Sequence, residues 1–289
     1  MMRAQLNRRQ TIQQGAAASI AVTTLSTSLA TPSLASSDIN RYNPFQKVGT
    51  VYKSIRPDLF DLVRTRKLVN RLWTAFQETK NYDYGNWALL YWYNYWRLAP
   101  LGKPRIRTAR IGIKMAQELI AIYPKRPFTY FWKASFYGME TISIGVLEAA
   151  QSLPKLKTIF EAIIRRSPDL YYGNAYIGLA KLYYKAPTFP VSIGDPRKAR
   201  LYLEKARQYQ EKRFALWYLF AAENEIILGN TESGFALLDR MNSEIRPPDI
   251  ASKIILETSL HDAKAMRQAV IDGQYNKYSW DPMLTPLKI

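Results

Sequence analysis

From residue 57 onward, apolar residues recur at intervals of three and four, and no segment makes a convincing strand. Leu156, Ile159, Phe160 and Ile163 follow the i, i+3, i+4, i+7 pattern of one helix face, and Ala199, Leu203, Ala206 and Tyr209 form a second such stripe. Short Pro, Gly or Asn breaks separate the periodic segments. The pattern predicts about ten helices, over 58–80, 84–98, 106–123, 128–147, 156–166, 172–185, 197–212, 215–228, 232–241 and 250–271. Gly194-Asp195-Pro196 reads as a turn and helix start, with Asp195 capping and Pro196 in the first helical position. The tail 274–289, with Pro282 and Pro286, is expected to pack as irregular chain. The fold class is therefore all-α.

The segments repeat as helix pairs. Trp132, Tyr176 and Trp217 take similar places in the first helices of three pairs, 44 and 41 residues apart, and Ala162 and Ala206 lie 44 apart in two second helices. A helical hairpin cannot bury its apolar face alone, so the domain 57–273 is expected to be a stack of tetratricopeptide-like hairpins sharing a continuous core.

Ahead of this domain the composition changes. Residues 1–35 begin with Arg3, Arg8 and Arg9 and no acid, continue through a weakly apolar stretch, and end in Ser33-Leu34-Ala35, with small residues where a signal peptidase reads them. The pair Arg8-Arg9 before a modest apolar core is the pattern of a twin-arginine export signal. The expected location is a periplasm, or a thylakoid lumen in a photosynthetic source, with 36–56 as an extended segment.

Charge and chemistry narrow the function. The 289 residues carry 41 Lys and Arg against 23 Asp and Glu, net +18, and without the leader's three arginines the chain from Ser36 keeps 38 against 23, net +15. Absence of cysteine excludes disulfides, thiolate metal sites, cysteine nucleophiles and a lipid-modified cysteine. The single histidine, His261, stands next to Asp262 in a predicted helix, where neighbours diverge by about 100°, and Glu223 and Glu225 diverge likewise. No nucleophile elbow, phosphate loop, zinc-helix or calcium-loop pattern occurs. No catalytic residue, cofactor or metal is expected, and nucleic acid does not fit an exported protein without a recognition motif.

Between Tyr91 and Met241 several stretches carry a family resemblance: Trp92-Tyr93-Asn94-Tyr95-Trp96; Phe131-Trp132-Lys133-Ala134 with Gly138; Ser167-Pro168-Asp169-Leu170-Tyr171-Tyr172-Gly173 leading into Gly178-Leu179-Ala180-Lys181-Leu182-Tyr183-Tyr184-Lys185-Ala186-Pro187; and Gly194-Asp195-Pro196-Arg197-Lys198-Ala199 with Leu203-Glu204-Lys205-Ala206. Over a little more than half of the chain the sequence resembles the T component of tripartite ATP-independent periplasmic (TRAP) transporters. The resemblance implies an exported all-α protein with tetratricopeptide-like repeats, a periplasmic binding-protein partner, an apolar channel lined by aromatic helices, and a trimer.

Two groups of residues are candidates for function. Trp92, Tyr95, Trp96, Tyr130, Trp132, Tyr172 and Tyr176 sit on aromatic helices that either pack between repeats or line a cavity for an apolar ligand. Lys103, Arg105, Arg107 and Arg110, with Arg197, Lys198 and Arg200, form basic helices that are either solvated faces or surfaces for an acidic protein or an anionic membrane. Three readings follow: a ligand-carrying protein of the T-component type, an assembly scaffold holding an acidic membrane-protein domain without a small ligand, or an enzyme whose site is made of Tyr, Glu and Lys without a sequence signature. A channel lined by Trp92, Trp96 and Trp132 would favour the first, and a filled core with a continuous basic face the second.

Overall fold

The computed structural model describes residues 61–210, 214–247 and 249–287; the leader with Arg8 and Arg9, the segment 36–56 and the ends of two predicted helices (58–60 and 211–212) lie outside them. Among the described residues are ten α-helices and no strand: α1 (Leu62–Thr79), α2 (Tyr82–Leu98), α3 (Lys103–Ile122), α4 (Pro127–Ile144), α5 (Leu153–Arg166), α6 (Leu170–Lys185), α7 (Pro196–Gln210), α8 (Ala215–Ile227), α9 (Thr231–Glu244) and α10 (Ile250–Ile271). The protein is an all-α arrangement of helical hairpins. In the tail, Pro282–Leu284 forms a 3-10 turn.

Local chemistry sets the helix ends. The side chains of Asp61, Asn81 and Asp249 accept hydrogen bonds from the backbone N–H of Arg64, Asp83 and Ser252, and Asp195 accepts one from Lys198 at 2.9 Å as the sequence predicts. Proline lies in the first turn of α3, α4 and α5, where its missing N–H has no partner to lose. Helix α4 stops three residues earlier than its apolar pattern suggests, because Gly145 adopts a φ of 118°, outside the helical region.

Four hairpins pack most closely, α1 with α2, α3 with α4, α6 with α7, and α8 with α9, while α5 stands between the second and third and α10 lies against α8. This corrects the predicted pairing around Trp132, which belongs to the second helix of its hairpin. Glycines admit large side chains from the facing helix both within and between these hairpins. A Cβ on Gly112 of α3 would lie 2.4 Å from the Phe136 ring of α4, and one on Gly178 of α6 would lie 2.5 Å from Phe160 of α5. The close approach at Gly112 draws α4 toward α3, and the one at Gly178 draws α5 toward α6.

The expected stripes are inside. Leu156, Phe160 and Ile163 are buried with Ile159 half-buried, and Ala199, Leu203 and Ala206 are buried with Tyr209 half-buried. The indole N–H of Trp132 donates to the Asn86 side-chain oxygen at 2.7 Å and that of Trp217 to the Leu203 carbonyl at 2.8 Å, so two of the three spaced aromatics also pin neighbouring helices.

Two glycines in one hairpin should respond oppositely to alanine. Gly112→Ala forces a methyl into the Phe136 ring and should lower stability by about 1–2 kcal/mol, the overpacking cost less the helix-propensity gain. Gly138→Ala meets its nearest neighbour, Leu156, only at 4.0 Å and should raise stability by about 0.5–1 kcal/mol. Urea midpoints at unchanged m-value check both, and equal shifts would contradict the packing described.

Candidate functional site

Helices α4, α5 and α6 meet over an apolar cavity. With its open mouth the space amounts to about 1040 Å³, of which about 140 Å³ is free to the centre of a water-sized molecule. Phe131, Trp132 and Met139 of α4, Leu156 and Phe160 of α5, and Leu182 of α6 form much of the wall; Tyr93 of α2, Phe220 of α8, Ile255 of α10 and Met283 of the tail complete it. Its lining, aromatic and aliphatic with few polar groups, is that of a small-molecule site.

A backbone irregularity borders the wall. Tyr171, Tyr172 and Gly173 take φ values of 44°, 61° and 69°, so the first turn of α6 is left-handed before the right-handed helix starts. The left-handed conformation costs a residue with a Cβ roughly 1–2 kcal/mol, and tertiary contacts hold it here. The Tyr171 ring packs edge-on to Phe128 and Phe214, its hydroxyl lies 3.3 Å from that of Ser252, and a Cβ on Gly173 would meet Tyr209 at 2.8 Å. The turn swings Tyr171 onto the cavity wall.

Two lysines border this apolar space. Lys185 is 3% exposed, and its ammonium lies 2.8 Å from a Glu223 oxygen, 3.6 Å from Asp281, and donates to the Trp280 carbonyl at 2.6 Å. Lys181 meets Asp281 at 3.0 Å and lies 4.2 Å from the Phe220 ring centre. Glu223 also accepts from the hydroxyls of Tyr184 (2.7 Å) and Tyr275 (3.1 Å). Beside this cluster the buried Arg97 pairs with Asp262 and donates to the Met283 carbonyl. Arg105 donates to the carbonyls of Arg97, Ala99 and Leu284 and covers the Trp96 ring at 5.2 Å.

Burial and charge set the protonation of these groups. Burial alone would raise the Asp281 carboxyl, but the ammonium groups of Lys181 and Lys185 outweigh it and hold the acid below its usual range. Burial alone would lower Lys185, but Glu223 and Asp281 outweigh it and raise the ammonium above its usual range. Burial, then Arg97, pushes Arg105 down to about 10. Burial raises Tyr93 to about 12, and burial followed by the charge of Glu223 raises Tyr184 well above its usual value.

The structure sorts the predicted residues. Of the seven aromatic candidates, Trp132 lines the cavity. Trp92 stacks on Tyr95 at 4.8 Å, Trp96 is buried under Arg105, Tyr130 lies near Arg166, Tyr172 packs against Phe214 and Tyr176 stacks on Tyr209, and none of these six lines it. Trp92 and Trp96 do not join Trp132 on this cavity: α2 turns Leu90 and Tyr93 to it, while α4 and α6 present Phe131 and Tyr171, one residue from the predicted Tyr130 and Tyr172.

Among the basic candidates, Lys103, Arg107, Arg197 and Lys198 are exposed, Arg110 pairs with Glu140 at 2.6 Å, and Arg200 pairs with Glu225 at 2.8 Å. Arg105 is 2% exposed and faces inward, because its guanidinium covers the carbonyls at the end of α2. Sequence reasoning missed Lys181, Lys185, Glu223 and Asp281. The available signal was the pair Lys181 and Lys185, four apart on one face of an otherwise apolar, aromatic helix. No protein-family model and no curated protein matches the sequence.

The charge cluster predicts a stability plateau between acid and alkaline limbs. Asp281 is depressed, so its contribution is present above the unfolded value near 3.8 and is lost as pH falls through its folded value. Lys185 and the tyrosines are raised, so their contributions are complete below the unfolded values, near 10.5 for the lysine and near 10 for the tyrosines, and are lost as pH rises. Urea midpoints from pH 2.5 to 11 should trace this plateau, with Asp281→Asn flattening the acid limb and, because Asp281 also helps to raise Lys185 and the tyrosines, weakening the alkaline limb. Lys185→Met leaves Glu223 buried without its cation and should cost about 3–5 kcal/mol at pH 7; a loss below 1 kcal/mol would mean that water reaches the cluster.

Proposed function

We propose that this chain is an exported, tetratricopeptide-like carrier of an apolar ligand that docks a protein partner, in the manner of the TRAP-transporter T component it resembles. The observation that carries the reading is the apolar cavity between α4, α5 and α6, with aromatic and aliphatic walls and two lysines at its border. The strained turn at Tyr171 supports it, since strain of this kind gathers where a backbone is held for a ligand. Export through the twin-arginine route places the carrier in a periplasm or thylakoid lumen. The partner is a periplasmic binding protein or the soluble domain of a membrane protein.

The scaffold reading draws its support from the exposed Lys103, Arg107, Arg197 and Lys198, which suit an acidic protein or an anionic membrane surface. Native mass spectrometry of the chain purified from its own compartment separates the two. The carrier reading expects an oligomer, a trimer above all, that releases an apolar ligand of roughly a few hundred daltons. A ligand-free monomer that co-purifies with an acidic protein would overturn it in favour of the scaffold.

A further inference from the structure

The polar end of the cavity is occupied by the protein's own C-terminal segment. Asp281 places its carboxylate on Lys181 at 3.0 Å and within 3.6 Å of Lys185, and two residues later Met283 contributes to the cavity wall and is 7% exposed. A carboxylate joined to an unbranched apolar chain is the chemistry of an acyl anion. Asp281 and Met283 present both of its parts to the groups that would recognise one.

The charges around this end favour an anion. Among the described residues of the buried cluster, the cations Arg97, Arg105, Lys181 and Lys185 outnumber the carboxylates Glu223, Asp262 and Asp281 by one. The two carboxylates nearest the lysines are held differently. Glu223 lies within α8 and takes two tyrosine hydroxyls besides Lys185. Asp281 belongs to a tail whose regular structure is a single 3-10 turn, held by side-chain cations on the carbonyls of Trp280, Met283 and Leu284. Asp281 is therefore the carboxylate that an incoming one can replace, and the exchange leaves the number of buried charges unchanged.

We infer that the cavity takes an amphiphile with a carboxylate head and an unbranched apolar chain, the head displacing Asp281 from Lys181 and Lys185 and the chain displacing Met283. The inference rests on the reading of the cavity as a ligand site and adds the class of ligand and the occupant it displaces. A neutral apolar molecule would gain the wall contacts but leave Asp281 on the lysines.

The test compares dodecanoate with 1-dodecanol on the full chain, each titrated against Nile red fluorescence, with native mass spectrometry for stoichiometry and hydrogen exchange for the tail. Dodecanoate should bind one per chain, at least about tenfold more tightly than dodecanol, a 1.4 kcal/mol preference. It should also raise amide exchange over residues 275–287. Asp281→Asn should widen the preference for the carboxylate, and Lys181→Met, which leaves Lys185 with Glu223, should reduce it toward unity; circular dichroism confirms that both variants fold. Equal affinity for the two probes, or an unchanged tail, overturns the acyl-anion inference while leaving the cavity a ligand site. Failure of both probes to bind, with no ligand in the native mass spectrum, overturns the inference and the carrier reading together.

Discussion

An ammonium group deep in a helical protein has lost the water that would otherwise stabilise it, and Lys185 is in that position. Its burial is tolerable because three acceptors converge on it from separate parts of the chain: Glu223 from α8, Asp281 and the Trp280 carbonyl from the tail. Removing water from an ion costs several kcal/mol, which close opposite charge and full hydrogen bonding offset. Glu223 meets that condition with the hydroxyls of Tyr184 and Tyr275. Arg97 and Arg105 repeat the device a short distance away, joining α2 and α3 to Asp262 of α10 and to the carbonyls of Met283 and Leu284. The tail is thus located by directional polar bonds to its carbonyls and to Asp281, together with the buried Pro282 and Met283 and the half-buried Tyr275, Trp280 and Leu284 packed on the core. Its polar bonds can each be exchanged for those of another acceptor.

The cavity lies where the hairpin rhythm changes. Glycine contacts bring α4 against α3 at Gly112 and α5 against α6 at Gly178. Helix α5 stands between the two hairpins and contacts both, and the space remains on the side where α4, α5 and α6 meet. The aromatic rings keep this space open. Rigid rings such as Phe131, Trp132 and Phe160 define walls without collapsing into the gap as a flexible aliphatic chain would. The left-handed turn at Tyr171 adds one more ring at the same place. An apolar gap in the packing and a strained turn thus meet around α4, α5 and α6.

The ten helices were legible in the sequence because each is an apolar-rich segment of helical length bounded by proline, glycine or a capping residue, with a clear one-face stripe in helices such as α5. Asp195 with Pro196 shows how local that information is: the cap and the first turn sit where the residues place them. The pairing of helices was less legible, since the 44-residue spacing of aromatics marks similar surroundings and does not say which neighbour packs closer. Close approaches such as Gly112 under the Phe136 ring are part of that choice, and they depend on residues of two helices together. The cavity wall was missed by one residue on two helices, because rings on most sides of a helix leave its pattern without a preferred face. Lys181 and Lys185 could be seen as a pair, but their partners are about 40 and 100 residues away and no local pattern connects them.

The same limit applies to the charge. A net charge of +18 reads as a property of the surface, and Lys103, Arg107, Arg197 and Lys198 do face solvent. Yet Arg97, Arg105, Lys181 and Lys185 lie inside and have carbonyls and carboxylates of this chain as partners. The two sets differ in physical effect. Surface cations act at a distance and are weakened by salt within about 8 Å at physiological ionic strength. Interior cations act at contact and are largely protected from it. Salt therefore weakens the attraction of the outer face while leaving Asp281 on its lysines, so the two sets of basic residues respond to different conditions.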